Sequence, residues 1–252
     1  MPKADNGNRS IASSFIIVGF ETLRELEVVL FALFTANFSM LEVLYTTVTV
    51  PKMLDTLLTR QKMISSPFCL AQFYFLFGFG AAENCLLAVM AYDRYLAICK
   101  PLHYATMMTS RTSINLALGA WVGGLFAASP PAMWISTLKF CFPNFIDHFF
   151  CDYAPLLKLS CEDTSAGEFA FMVMSWSVIL GCFFLIMVSY SLIIFAVLKI
   201  PSTNGQRKAF STCASHLAVV SIFYGTVIFM YIRPTSHIRF SMDKTLEERE
   251  KT

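Results

Sequence analysis

An acidic and a basic residue stand side by side near the end of a long apolar run. The run covers residues 69–98, and Asp93, Arg94 and Tyr95 follow one another close to its end. Charged side chains within a membrane-length helix cost free energy, and they are retained where they pair or perform a function. The two charges therefore predict a position at the membrane interface and a function there. The alternative is an arginine whose charged end reaches the interface while its stem stays in lipid.

Two further carboxylates lie inside apolar runs. Glu42 falls within residues 26–50 and Glu83 within residues 69–98. Carboxylates inside apolar helices are costly and usually functional, and two acids that met in the bundle would share a proton or hold a cation. The alternative is one protonated, hydrogen-bonded acid on each helix. Buried acids also suggest a small transporter or channel, but no repeated half with interrupted helices is visible, which disfavours that class.

The eight cysteines divide into two groups by position. Four lie within the apolar runs or near their basic ends, and the four that flank the runs or lie between them are Cys69, Cys141, Cys151 and Cys161. Four cysteines in an oxidising compartment allow three pairings, and spacing does not choose among them. Disulfides are favoured over zinc because no Cys-x-x-Cys or His-x-His pattern is present. Since no hydrolase or kinase arrangement and no phosphate-binding loop occur, we predict a protein that is not an enzyme.

The composition is that of an integral membrane protein. Of the 252 residues, 56% are hydrophobic and 14% are charged, and the mean hydropathy is +0.60. Soluble domains carry more charge and fewer continuous apolar stretches. A net charge of +2 without a basic run argues against a nucleic-acid partner. Because the first 25 residues lack the pattern of a cleavable signal peptide, a transmembrane helix is expected to direct insertion.

Five apolar runs predict five transmembrane helices between a polar N-terminal segment, residues 1–25, and a charged tail, residues 233–252. The runs are residues 26–50, 69–98, 113–137, 169–198 and 209–232. The first run is long enough for one crossing of the bilayer and too short for two. We expect Pro51 to end it, and we expect Pro130 and Pro131 to break or kink the third.

The distribution of charge orients these helices. The links 99–112 and 199–208 are basic, which places them in the cytoplasm, whereas the link 138–168 is acidic and contains cysteines, which places it outside. A single crossing by the first run then leaves the N-terminus in the cytoplasm. Asn8, which begins an Asn-x-Ser glycosylation triplet, would stay unmodified there. An external N-terminus would require the first run to lie on the membrane or to form a hairpin.

Several motifs resemble those of one family. Residues 90–104, Met-Ala-Tyr-Asp-Arg-Tyr-Leu-Ala-Ile-Cys-Lys-Pro-Leu-His-Tyr, resemble almost letter for letter the third-helix signature of the olfactory receptors, a branch of the rhodopsin-like G-protein-coupled receptors. The resemblance covers roughly residues 8–244. The other matching stretches occur in family order and are residues 40–54 for the second helix, 148–152 for the long extracellular loop, 189–190 for the end of the fifth helix, and 208–216 with 223–226 for the sixth.

Two parts of the family pattern are missing. The chain passes directly from residues 26–34, which resemble the start of the first helix, to the second helix. After residues 241–244, which resemble the approach to the seventh helix, no Asn-Pro-x-x-Tyr-like segment follows. The expected fold is an all-α membrane protein, an incomplete rhodopsin-like helical bundle. It would have about five transmembrane spans instead of seven, with an internal deletion and a truncation before helix seven.

The resemblance implies roles for individual residues. Asp93 would hold Arg94 in the inactive state, and activation would free Arg94 to meet a G protein. The other residues that match the activation path are Tyr95, Tyr190, His216 and the switch aromatic Tyr224. The residues that match the odorant pocket are Leu76, Phe77, Gly80, Ala81, Val227 and Tyr231, and the alternative for each is packing or contact with lipid. Trp121 is expected to be structural.

The remaining implications concern pairs of residues. Glu42 and Glu83 would face each other and resemble the sodium site of related receptors. Cys69 would pair with Cys151, and Cys141 with Cys161, with free thiols as the alternative.

Together these implications predict a multi-pass odorant receptor of the plasma membrane. It would bind small, apolar, volatile ligands and activate a heterotrimeric G protein of the olfactory, cAMP-raising type, with no cofactor beyond the candidate sodium ion. The alternative is a non-signalling remnant retained in the membrane, including that of the endoplasmic reticulum. The missing helices would otherwise complete both the ligand pocket and the G-protein cleft.

Overall fold

Seven α-helices make up nearly all of the described chain. The computed structural model describes residues 19–59, 64–140, 150–199 and 202–232. The helices are α1 (Gly19–Thr59), α2 (Ser66–Cys99), α3 (Pro101–Met107), α4 (Ser110–Thr137), α5 (Tyr153–Leu157), α6 (Ser165–Leu198) and α7 (Thr203–Ile232). Within these ranges β-structure is limited to one isolated bridge between Phe140 and Ser160. The prediction of an all-α protein is confirmed.

The first helix does not end at its proline. α1 contains 41 residues and includes Pro51 in its interior, so at ~1.5 Å per residue it is about 62 Å long. The turn after Pro51 carries an ion pair, in which Lys52 Nζ lies 2.8 Å from Asp55 Oδ2. Residues at this spacing share a helix face and stabilise it. The expectation that Pro51 ends the helix was therefore wrong.

The two adjacent prolines of α4 do not break it. The helix continues through Pro130 and Pro131 to Thr137. Pro131 is buried in the bundle, as are Ala132 and Ile135 in the turn that follows. Burial of this apolar turn offsets the backbone hydrogen bonds that the prolines remove.

Three helices are long and apolar enough to cross a membrane, judged by length and composition. They are α2, α4 and α6, and α7 contains a shorter apolar stretch, Cys213–Phe229, within the part that the structure describes. α6 exposes large apolar side chains, including Leu180, Phe184 and Phe195, as expected for a helix that faces lipid. The assignment of α1 and α7 as further spans stays a prediction.

The central helix of the bundle is α2, which packs against α1, α3, α4, α6 and α7. Its crossing with α4 depends on small residues. A Cβ atom added to Gly124 would lie 2.5 Å from the carbonyl oxygen of Gly78 and would collide with the backbone nitrogen of Ala82. Small residues allow close approach of helix backbones in membranes, so this crossing fixes α2, which carries more of the candidate functional residues than any other helix.

Buried apolar side chains fill the space on both sides of α2. Phe34, Leu41 and Leu86 belong to a cluster between α1, α2 and α4, where Trp121 Nε1 also donates a 3.1 Å hydrogen bond to Asn37 Oδ1. A second cluster lies between α2, α6 and α7. Tyr95 packs against both clusters, so it is a packing residue of the bundle as well as a member of the charged motif.

Candidate functional site

The predicted ion pair forms near the C-terminal end of α2, which the charge distribution predicts to be cytoplasmic and which is called the inner end below. Arg94 Nε donates a hydrogen bond of 2.9 Å to Asp93 Oδ2, and Nη2 of the same guanidinium donates to the same oxygen. Asp93 is 1% exposed and Arg94 is 5% exposed. A buried ion pair is weak evidence of net stabilisation, but separating its partners leaves a desolvated charge without its counter-ion. The pair can therefore act as an energetic barrier to rearrangement.

A tyrosine from the short helix α3 completes the coordination of Asp93. Tyr104 Oη donates a 2.8 Å hydrogen bond to Asp93 Oδ1, and Tyr104 is 1% exposed. Pro101 begins α3, and the single residue Lys100 separates it from the end of α2. A proline in the first turn suits a helix start. We did not predict this role for Tyr104. The signal was available, because Tyr104 ends the motif that begins before Asp93.

A second polar contact joins α6 to α7. Tyr190 Oη and His216 Nδ1 are 2.5 Å apart, and the two rings are stacked with centroids 5.7 Å apart. His216 is 2% exposed. Arg94 is near enough to both side chains for electrostatic interaction. The structure thus places the two predicted transmission residues together, beside the ion pair.

One asparagine connects three helices. Tyr224 Oη on α7 donates a 2.5 Å hydrogen bond to Asn84 Oδ1 on α2, and Asn84 Nδ2 donates a 3.2 Å bond to the carbonyl oxygen of Val178 on α6. Asn84 is 1% exposed. A buried amide whose donor and acceptor are both used contributes to a defined arrangement of its neighbours. Sequence analysis identified Tyr224 but missed Asn84, which follows Glu83 directly.

The two membrane glutamates meet, as the resemblance implies. The Glu83 carboxyl lies within hydrogen-bonding reach of the Glu42 carboxyl. Within the described residues no group of three or more His, Cys, Asp or Glu side chains could hold a metal ion. Two carboxyls in contact fit one shared proton, and the structure lends no support to the sodium ion expected from the resemblance.

The predicted ligand residues of α2 differ in their surroundings. Leu76 and Ala81 are buried, whereas Gly80 has open space where a side chain would lie. Phe77 packs against aromatic rings, at centroid distances of 5.0 Å to Phe171 on α6 and 6.1 Å to Phe73. On α7, Val227 is half-buried. Tyr231 belongs to the same helix, but its side chain lies outside the described part of the structure.

The outer end of the bundle is tied together covalently. A disulfide joins Cys69 on α2 to Cys151 in the segment before α5. Beside it, Gln72 Oε1 accepts a 2.9 Å hydrogen bond from the backbone nitrogen of Cys151, and Nε2 donates one of 2.9 Å to the carbonyl oxygen of Val48 on α1. Gln72, which sequence analysis missed, thus joins α1 and α2 to the outer loop. Cys161 is also disulfide-bonded.

Two predicted residues fall where the structure gives no description. Cys141, the expected partner of Cys161, and Asn8, the candidate glycosylation site, lie outside the described residues. The pairing of Cys141 with Cys161 and the state of Asn8 therefore stay predictions.

The loop helix α5 packs closely on α6. Tyr153 stacks on Phe171 with ring centroids 3.7 Å apart, and its hydroxyl donates a 2.8 Å hydrogen bond to the carbonyl oxygen of Gly167. Burial, and then the carboxylate of Glu168, raise the pKa of Tyr153 to about 12. Phe171 is in contact with Phe77 as well, so the loop helix covers the outer side of the predicted ligand residues.

Two cavities lie near the outer end. One of about 380 Å³ is bordered by Val48, Lys52 and Gln72 between α1 and α2. The other, of about 350 Å³, is bordered by Leu70 and Leu156 beside the disulfide. Both volumes suit small ligands. Of the predicted ligand residues, none lines either cavity, so these cavities do not coincide with the expected odorant pocket.

Comparison with known proteins identifies the same family that the sequence motifs resemble. A family model described as "Olfactory receptor" matches residues 10–242. The chain is 44% identical to human olfactory receptor 11G2, covering 95% of this chain and 78% of the relative, and 43% identical to human olfactory receptor 6F1, covering 91% and 84%. It is 49% identical to human olfactory receptor 6S1, covering 80% of this chain and 61% of the relative.

Some of these alignments also include positions at which this chain has no residue. The alignment with olfactory receptor 11G2 spans 270 positions but uses 95% of a 252-residue chain, which leaves about 30 positions where the relative has residues and this chain has none. This agrees with the missing family motifs between the first and second helices. The match over most of its length, together with the paired Asp93 and Arg94 at the inner end of α2, shows that the chain belongs to the olfactory receptor family, a family of multi-pass membrane receptors that are not enzymes.

Proposed function

We propose that this chain binds small apolar, volatile ligands and activates a heterotrimeric G protein of the cAMP-raising type. The observation that carries the proposal is the buried ion pair of Asp93 and Arg94, held by Tyr104. Buried, paired charges at the end of an apolar helix have no evident use in a passive membrane anchor. A cytoplasmic partner that engages the arginine gives them one.

The inner end of the bundle supports an inactive state that can be released. Opening of the inner end of the bundle requires Arg94 to leave Asp93. Tyr190 and His216, which join α6 to α7, lie near Arg94 and could interact with its guanidinium once it is released. A partner that binds only the opened form shifts the equilibrium by its difference in affinity for the two states. The mechanism is therefore selection of a state in which Arg94 faces the G protein.

The outer half supports recognition of an apolar ligand. Leu76, Phe77 and Ala81 give this part of α2 an apolar surface, and Phe171, which stacks on Tyr153, packs against Phe77. Such a surface offers few polar anchors, which suits small apolar molecules. Below it, the hydrogen bonds of Asn84 connect α2 to α6 and α7, so a ligand that separates these helices would disturb the junction on which Tyr224 depends.

A cell-based assay tests the proposal. Cells expressing the chain with an olfactory G protein are challenged with an odorant panel, and cAMP and surface staining are recorded together. Odorant-driven cAMP that is lost in Arg94→Ala but retained in the matched variant Arg111→Ala is the expected result, because Arg111 is exposed on α4. Clear surface staining with no cAMP response to any odorant would instead support a non-signalling membrane protein.

A further inference from the structure

Two thiols from different helices meet in the middle of the bundle. Cys85 Sγ on α2 and Cys182 Sγ on α6 are 3.8 Å apart, although the residues are 97 positions apart in the sequence. Both cysteines are free and half-buried. Counting ~1.5 Å per residue along α2, Cys85 lies about 14 Å from Arg94. The pair is thus separate both from the inner ion pair and from the outer disulfide of Cys69.

The surrounding hydrogen bonds hold the two thiols at this separation. Cys85 follows Asn84, whose side chain bonds to the carbonyl oxygen of Val178 on α6. Cys182 lies four residues after Val178, which is one helical turn and the same face of α6. The contact that joins α2 to α6 therefore also sets the approach of the two sulfur atoms. Tyr224 bonds to the same asparagine, so the thiols lie beside the junction of three helices.

We propose that Cys85 and Cys182 form an oxidisable dithiol site, at which a small peroxide produces a disulfide between α2 and α6. A disulfide has an S–S distance of about 2.0 Å, so the sulfur atoms must approach each other by roughly 1.8 Å. One thiol would react with hydrogen peroxide to give a sulfenic acid and water. The second thiol would then attack the sulfenic sulfur and release a second water, so that two thiols lose two electrons and two protons to one peroxide.

The other two free cysteines of the described chain are placed differently. Cys99 Sγ donates to the carbonyl oxygen of Leu192 over 3.6 Å, and Cys213 is buried in the cluster between α2, α6 and α7. The proposal therefore specifies one product. It also predicts a consequence, because a covalent link at this level would hold α6 against α2 and preserve the arrangement of Asn84.

Peptide mapping of the oxidised protein tests the site. The full chain in detergent is treated with hydrogen peroxide, the remaining thiols are blocked with N-ethylmaleimide, and the protein is digested with chymotrypsin. This protease cleaves at aromatic residues, and such residues separate Cys85 from Cys69 and Cys182 from Cys161. The expected product is a reductant-sensitive peptide pair containing Cys85 and Cys182. It should rise from a trace before oxidation to the main form of both cysteines after it.

Matched variants make the result specific. Cys99→Ser should keep the linked peptide, and Cys85→Ser or Cys182→Ser should lose it. Peroxide should raise the melting temperature of the unaltered chain and of Cys99→Ser, but not that of Cys85→Ser. The proposal is overturned if both cysteines remain alkylated at a peroxide dose that fully oxidises added glutathione, or if either one pairs with Cys99 or Cys213. The unaltered chain decides between these outcomes, so a variant that fails to fold does not affect the test.

Discussion

Tyr104 on α3 donates its hydroxyl to the carboxylate oxygen of Asp93 that Arg94 leaves free, over 2.8 Å. The short inner helix is thereby part of the ion-pair arrangement. Both oxygens of a nearly inaccessible carboxylate are used, one by a cation and one by a hydroxyl. Movement of α3 would consequently weaken the hold of Asp93 on Arg94, which gives the inner loop a direct influence on the proposed inactive state.

Removing this hydroxyl should favour release of Arg94. Tyr104→Phe keeps the buried ring but deletes a hydrogen bond to a charged group, typically worth about 1.5–3 kcal/mol. We expect ligand-independent cAMP to rise several-fold in cells that express the variant at equal surface density. The control is Tyr92→Phe, which removes a hydroxyl from a side chain that is 39% exposed on α2, the helix that carries Asp93 and Arg94. Unchanged basal cAMP in Tyr104→Phe would show that this bond does not restrain Arg94.

The hydrogen bonds of Asn84 should couple energetically to Tyr224. Asn84→Ala leaves the Tyr224 hydroxyl without its acceptor in a buried site, which costs about 1–3 kcal/mol. Tyr224→Phe removes the same bond from the other side. The loss of stability in the double variant should therefore be smaller than the sum of the two single losses. Thermal unfolding in detergent measures this, and Ser177→Ala, at an exposed position of α6, is the control. Additive losses would mean that the contact contributes nothing of its own.

Two of the apolar runs lie close to the bounds of long helices. The run 69–98 corresponds to α2 at residues 66–99, and the run 169–198 to α6 at residues 165–198, because an uninterrupted apolar composition requires internal hydrogen bonding in lipid. The predicted end of α1 was wrong because the helix continues past Pro51 to Thr59, and the ion pair of Lys52 and Asp55 stabilises the turn after the proline. The short helices α3 and α5 were not predicted, since their existence depends on tertiary burial of Tyr104 and Tyr153.

Site residues with partners close in the sequence could be predicted, and site residues with distant partners could not. Asp93 and Arg94 are neighbours in the sequence, so their interaction could be predicted locally. Asn84 and Gln72 act on partners 24 to 140 residues away, and a single amide in an apolar run does not show which distant group it will meet. Cys85 and Cys182 are similar, because only the crossing of α2 and α6 brings them together.

The close crossing of α2 and α4 should be sensitive to a single methyl group. Gly124→Ala would place a Cβ atom against the backbone of Gly78 and Ala82, where no flexible side chain can move aside. Overpacking of this kind costs about 1–3 kcal/mol, so we expect lower thermal stability and weaker surface staining. The neighbouring Gly123 has nothing within 4 Å of an added Cβ, which makes Gly123→Ala a matched control. Equal behaviour of the two variants would contradict the close approach of these helices.

Tyr153 in the outer loop should stabilise the folded chain, and this contribution should be lost at strongly alkaline pH. The pKa of this residue is raised to about 12 in the folded chain, above an ordinary value of about 10. Since the folded state holds the proton more tightly, the contribution is complete below about pH 10 and is lost as the pH rises toward about 12. Tyr153→Phe lacks the titrating group, so the stability advantage of the unaltered chain over this variant should shrink across that interval.

Thermal unfolding of both proteins in detergent at a series of alkaline pH values measures this difference, and other ionising groups cancel in the comparison. Thr137→Val, at an exposed and non-titrating position near the outer end of α4, is the control, and its difference from the unaltered chain should stay constant with pH. A Tyr153→Phe difference that also stays constant would mean that the hydroxyl ionises alike in the folded and unfolded chains. The stacking of Tyr153 on Phe171 would then not shield it from water.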